Sequence, residues 1–155
     1  MFVAILPIVI GPDNPILRTK TKKIPKVTRD VKQLVKDMIE TMHEASGVGL
    51  ASPQVARTER VCIAVIGGKV TPLINPVITK KSKETDIDQE GCLSLPNVWL
   101  QIPRSVEIAL EYIDLRGKKQ QRTLDHFDAR VVQHEVDHLE GVLIVDYAAS
   151  PLQHL

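Results

Sequence analysis

The sequence predicts an α+β fold in which mixed or antiparallel sheets wrap around a central helix carrying an H-E-x-x-H motif. Three observations predict it. Apolar residues recur at helical spacing from Thr28 to Ala45. Short β-branched runs broken by turn signals fill the stretch from Arg60 to Leu124. A second helical stretch, Asp125 to Gly141, is apolar on two sides, so it has little face left for solvent and belongs inside the sheets.

Taken in order, the opening "MFVAILPIVI" is apolar but has no basic residue before it, carries Pro7, and lacks a small-residue cleavage site. It is too short to span a bilayer and reads as a buried strand or arm. In the first helix Val31, Leu34, Val35, Met38, Ile39 and Met42 form one stripe. Thr28 is its N-cap, Asp30 suits its positive start, and Ser46-Gly47 ends it. "RVCIAVI", "VTPLI" and "PVITKK" read as strands punctuated by Gly67-Gly68 and Asn75-Pro76. Val106, Ile108, Leu110 and Tyr112 alternate as one face of a further strand, with "DLRGKKQQ" as its turn and "QRTL" as its return. The second helix takes Asp125 as N-cap, with Asp128 three residues later, and stops at Gly141. Phe127, Val131, His134 and His138 share one of its faces, and Val132, Val136 and Leu139 another. The first helix packs outside.

The 155 residues make one domain, 1–155, large enough to bury a core without disulfides. Hydrophobic residues at 43% and charged residues at 25% are ordinary globular values, against disorder or a fibre. A net charge of +1 gives no bulk pull toward nucleic acid or anionic membrane, so neither specific DNA binding nor membrane attachment is expected. Lys20, Lys22, Lys23 and Lys26 read as a solvated surface. Two cysteines, Cys62 and Cys92, are too few for a disulfide framework and point to a reducing compartment.

"QHEVDHLEG", Gln133 to Gly141, sets His134 and His138 four residues apart, on the same side of a helix, with Glu135 beside the first. Two imidazoles suit a metal but seldom complete a site, because a catalytic centre needs three protein ligands and one open position. The competing reading is a pair of ordinary hydrogen-bonded histidines. "QEGCLSLP" offers the thiol of Cys92 in a Gly-flanked stretch between strands, whereas Cys62 lies in an apolar run and reads as inert core. "GVGLASPQ", Gly47 to Gln54, supplies glycines for close backbone approach and an amide at Gln54.

Together "GVGLASPQ", "EGCLS" and "QHEVDH", in this order, resemble the three motifs of the peptide deformylase family, GxGLAAxQ, EGCLS and QHExDH, and "GPDNPILR" is similar to the family's opening. Ser52 replaces the usual alanine, a small-for-small change. The resemblance implies that Cys92, His134 and His138 bind a metal, that Glu135 is the catalytic acid and base, and that Gln54 and the backbone N–H of Leu93 bind the oxyanion. Val48 and Gly49 would contact the substrate backbone, and Glu90 would pair with Arg104. Trp99, Phe127, Arg130 and Val131 are weaker candidates for shaping the substrate pocket, with Phe127 and Val131 equally at home in the core.

The activity so implied is removal of the formyl group from N-formylmethionyl peptides during protein biosynthesis, releasing formate. Water is a poor nucleophile at neutral pH; a metal lowers the pKa of its water toward about 7 and polarises the carbonyl, while Glu135 relays the proton. A Cys-His-His donor set by itself suits zinc; the resemblance favours Fe(II), with zinc, nickel or cobalt able to occupy the same ligands. A metallopeptidase and a non-catalytic formylmethionine-binding domain are the rival readings. A cytoplasmic, bacterial-type setting is expected, with organellar or viral origin left open. No Lys or Arg follows Arg130, so ribosome contact through a basic C-terminal extension is expected to be weak.

Overall fold

The computed structural model describes residues 2–149, so "SPLQHL", part of the tail behind the ribosome expectation, lies outside the described residues. Five strands form an antiparallel sheet in the order β1 (Gly49–Ala51), β2 (Val61–Ile66), β3 (Lys69–Lys81), β6 (Glu107–Ile113), β7 (Lys119–Asp125). A separate antiparallel hairpin pairs β4 (Thr85–Cys92) with β5 (Leu95–Ser105).

The two helices, α1 (Arg29–Glu44) and α2 (His126–Leu139), lie on opposite faces of the larger sheet, and the period-2 alternation of β2 sorts them. Cys62, Ala64 and Ile66 pack in one core with Val131, Val132 and Leu139 of α2. Val61 and Ile63 pack in another with Leu34, Val35, Met38 and Met42 of α1. The hairpin covers the far side of α2: Gln133 brackets Ser105 by donating to its carbonyl at 2.9 Å and accepting from its N–H at 3.1 Å. A third core joins the hairpin's Leu95 and Ile102 to Leu17, Leu143 and Ile144. Helix α2 is therefore central and α1 outside, as expected.

Local chemistry sets the helix ends. Thr28 Oγ1 accepts from Val31 N at 3.3 Å. Ser46, rather than Gly47, takes the left-handed conformation after α1 (φ 55°), and the amides of Ser46 and Gly47 return to the carbonyls of His43 and Met42. Gly141 (φ 75°) closes α2 in the same manner. The Asp125 side chain makes no capping bond, and Asp128 instead accepts from Gly67 N at 3.1 Å, tying the start of α2 to the β2–β3 turn.

One expectation needs correction. Asn75-Pro76 does not separate two strands: β3 runs through it, pairing with β2 before it and β6 after it, with a register shift between Ile74 and Val77. Asn75 takes φ 52°, accepts from Ile24 N at 2.7 Å and donates to Ile24 O at 2.8 Å, while Pro76 needs no N–H partner at the bulge. Of the two readings of the opening segment, buried strand or arm, the structure bears out the arm. Its outer side chains are exposed, Phe2 at 95%, whereas Leu6 and Val9 pack inward. Gln33, Asp37 and Thr41, one helical turn apart on α1, bond Phe2 O, Ala4 N and Leu6 N. Among the described residues no helix is long and apolar enough to cross a membrane.

Candidate active site

Cys92 ends β4 and pairs with Leu95 across the tight hairpin turn, which aims its sulfur at α2. There His134 and His138 stack one turn apart, ring centroids separated by 5.0 Å. One ligating atom from each of Cys92, His134 and His138 falls within 4.8 Å of the others, and Cys92 Sγ lies 3.3 Å from His138 Nε2. His134 Nδ1 is engaged by Glu90 Oε1 at 2.9 Å, which leaves its Nε2 for the cluster. A thiolate and two imidazoles form a donor set suited to a tetrahedral or open divalent centre.

Glu135, next on the helix, turns toward β1. Its carboxylate packs so closely on Gly49 that a Cβ there would collide with it. Among the described residues Glu135 Oε1 and His138 Nδ1 are buried without a hydrogen-bond partner; water brought by an ion at the cluster would meet the demand of the Glu135 oxygen, whereas His138 Nδ1 lies across the ring from the Nε2 that faces Cys92. Burial pushes the Glu135 carboxyl up to about 7, where it can both take and give a proton near neutrality. Burial, reinforced by the neighbouring His134 charge, pushes His138 down. Burial also acts to lower His134, but its bonds to Cys92 and Glu90 prevail and raise it to about 10.

Gln54 is fully placed by its neighbours. Its Oε1 accepts from Ala51 N at 3.0 Å, which orients the amide so that Nε2 faces Ser94 Oγ at 3.2 Å and Cys92 Sγ at 3.7 Å. Leu93, Val48 and Gly49 line the same cavity of about 500 Å³. Among the described residues strand β1 pairs with β2 alone, so it is an edge of the sheet, and its first residue, Gly49, lines that cavity.

Beneath the cluster lies a buried charge network. Arg104 binds Glu90 through two bonds of 2.9 Å, and Arg130 adds a third at 2.6 Å. Burial alone would raise the Glu90 carboxyl, but Arg104 and His134 hold it well below the usual carboxylate range. Asp137 accepts from Arg104 at 2.6 Å and from Tyr147 OH at 2.7 Å. The expected Glu90–Arg104 pair is thus present, within a larger group. The Arg130 guanidinium is turned to Glu90, Asp86 and Ile102 O, so it anchors the hairpin more than it walls the pocket. Val131 packs in the core and also lines the cavity, as do Trp99 and Phe127, the latter 58% exposed.

Sequence reasoning missed Ser94, Asp137 and Tyr147. The first two stand inside "EGCLS" and "QHEVDH", where their neighbours drew the attention; nothing local marks Tyr147. Cys62 is fully buried, its thiol pushed well up by burial, consistent with inert core. Asp146, the acid downstream that a rival metallopeptidase centre could have used, instead pairs with Arg18 at 2.7 Å.

The sequence profile of the polypeptide deformylase family matches residues 5–154. The peptide deformylase of Dictyoglomus thermophilum is 46% identical over 137 residues, covering 88% of this chain and 89% of that one. The crystal structure of the Thermotoga maritima peptide deformylase superposes with a TM-score of 0.86 at 41% identity, over 90% of this chain and 94% of that chain. The Met-Ala-Ser-bound peptide deformylase of Acinetobacter baumannii gives a TM-score of 0.90 at 32% identity, over 94% and 99%. The profile match over most of the chain, the sequence identity and the superposition agree, and the chain belongs to the polypeptide deformylase family.

Proposed function

We propose that the protein is a metal-dependent hydrolase that removes the formyl group from the N-terminal formylmethionine of newly made polypeptides, giving formate and a free amine. The observation that carries the reading is the placement of Glu135: a buried carboxyl near pKa 7, with an unpartnered oxygen, beside the Cys92–His134–His138 cluster and against a sheet edge. A metallopeptidase or a non-catalytic binder is not favoured by this arrangement or by the family.

Cys92, His134 and His138 would hold the ion, and Glu90 fixes the tautomer of His134 by accepting at Nδ1. A divalent ion bound there supplies Lewis acidity, polarising the formyl carbonyl and acidifying water. Glu135 takes the proton from the attacking water at one carboxylate oxygen and delivers it to the departing amine nitrogen. Gln54 Nε2 and the Leu93 N–H meet the negative charge that grows on the formyl oxygen; removing one such donor typically costs about 10²–10³ in turnover. The peptide extends along Val48 and Gly49 as an added strand, bound by its backbone and therefore tolerant of sequence. The Met-Ala-Ser carried by the Acinetobacter baumannii relative is a ligand of that class.

Fe(II) is our choice of native metal, supported by the family resemblance; zinc, nickel or cobalt would fit the same donors. A bacterial cytoplasm is supported by the bacterial relatives and by the two free thiols. Weak ribosome contact is supported by the described segment after α2, whose charged side chains Glu140 and Asp146 are acidic and paired with Arg60 and Arg18. Formate release from a formyl-Met-Ala-Ser peptide by metal-loaded protein tests the activity, and its absence would sink the reading. Co-sedimentation with ribosomes should be slight at moderate salt.

A further inference from the structure

We propose that a second cavity, beside the C-terminal end of α2, binds a small molecule that carries a phosphate group on an apolar body. The cavity is about 600 Å³, the size of a small-molecule site, and shares no lining residue with the catalytic one. It lies where the β3–β6 ladder shifts register between Ile74 and Val77, the bulge interrupting the pairing beside Tyr112. Thr21 and Lys23 bring a further stretch of chain to the lining. That stretch is fixed in place, because Thr21 donates to Leu139 O through both its N–H and its hydroxyl, and Ile24 is bonded twice by the Asn75 amide.

The lining is cationic. Lys23, Arg60 and Lys119 face one carboxylate, Glu111, which already accepts from Gln121 Nε2 at 2.9 Å. The Arg60 side chain is 16% exposed, and its guanidinium is held by Glu140 and by the carbonyl of Pro76 at 2.9 Å. Lys23 and Lys119 differ from it: their ammonium groups meet no acceptor among the described residues. Lys20, Lys22 and Lys26 flank Lys23 in the sequence, and Arg116 and Lys118 precede Lys119. The carboxylate of that turn, Asp114, is engaged by the N–H groups of Arg116 and Lys118 and by Gln120. In a chain of net charge +1 this is a local excess of positive charge around a concavity, an arrangement that draws anions.

Tyr112 supplies a neutral donor. It is 7% exposed, its ring packs in the core shared with α2, and its hydroxyl has no hydrogen-bond partner among the described residues. A hydroxyl so nearly buried calls for a partner, and a phosphate oxygen in this cavity provides one. Two ammonium groups without partners match the double charge of a phosphomonoester better than the single charge of a carboxylate. Val77, 49% exposed, and Ile113 give the lining an apolar side, which suits a ligand with an apolar body over a bare phosphate ion.

Phenyl phosphate, inorganic phosphate and benzoate would be titrated separately into the zinc-loaded protein and followed by backbone amide chemical shifts. Saturable shifts should appear at Lys23, Val77, Tyr112 and Lys119, and phenyl phosphate should bind at least about 3-fold more tightly than either of the others. Lys23→Gln and Lys119→Gln, both at exposed positions, should each weaken it by roughly 2- to 5-fold, and added salt should weaken it in the unaltered protein. Tyr112→Phe keeps the ring in the core and should cost roughly 2- to 10-fold through the lost hydroxyl. Formate release from formyl-Met-Ala-Ser should be unchanged in all three variants. Shifts that do not saturate, shifts confined to residues around Cys92, equal affinity for the three probes, binding indifferent to both lysine substitutions, or tighter binding of a short single-stranded RNA than of phenyl phosphate would overturn the proposal.

Discussion

In the proposed mechanism the Glu135 carboxyl accepts and returns a proton, and its burial raises its pKa to the range that this needs. Glu135→Gln is nearly isosteric but cannot accept a proton, so the purified variant should retain its metal and lose at least about 10²-fold in turnover. Metal analysis beside formate assay checks both halves. The two cysteines should separate just as sharply. Cys92→Ser should lose metal because it removes the thiolate, and Cys62→Ser should keep it because that thiol is buried in the sheet core. That Cys92, His134, Glu135, His138 and Gln54 come together was legible in the sequence: the four-residue spacing marked the two histidines with Glu135 between them, and the resemblance of their motifs to the family's marked Cys92 and Gln54. Tyr147 was not, since its partner Asp137 is reached only by folding the segment after α2 back under the hairpin.

Among the elements, the β4–β5 hairpin and α2 are held together by charges that have left water. Arg104 and Glu90 are almost fully buried, so Arg104→Met would strand Glu90 and Asp137 without their guanidinium and should destabilise by about 3–5 kcal/mol. The pH dependence has a definite sign. The folded Glu90 carboxyl is depressed, so the unfolded chain binds its proton first as pH falls below about 4.3, and the stability that this carboxylate contributes is present above that pH and lost below it. Urea midpoints at pH 3 and pH 7 should therefore lie closer together in Arg104→Met than in the unaltered protein. The elements themselves were read well where one period dominates, as in α1 and β6. Asn75-Pro76 misled because a turn and a bulge use the same residues; pairing of β3 with strands on both sides decides between them, and pairing is not local.

Across the whole molecule, two cores on either face of one sheet follow from the alternation of β2 and were legible as a class, α+β with a central helix. The course of the opening arm was not: its apolar text suits a buried strand, but its neighbour is the polar stripe Gln33, Asp37 and Thr41 of α1, which takes its backbone and leaves its outer side chains outside. The placement of the three candidate ligands has a further consequence. Cys92 belongs to the hairpin, while both histidines belong to α2, elements made from distant stretches of chain. An ion shared by them is a reversible cross-link, closing between hairpin and helix a loop that an unfolded chain would not hold closed. Occupancy then becomes a thermodynamic weight on the native state: free metal at a hundred times its dissociation constant adds about 2.7 kcal/mol. Chelation should lower the melting temperature of this protein and titration with metal should restore it in proportion to the logarithm of free ion, whereas in Cys92→Ser the melting temperature should hardly respond to either.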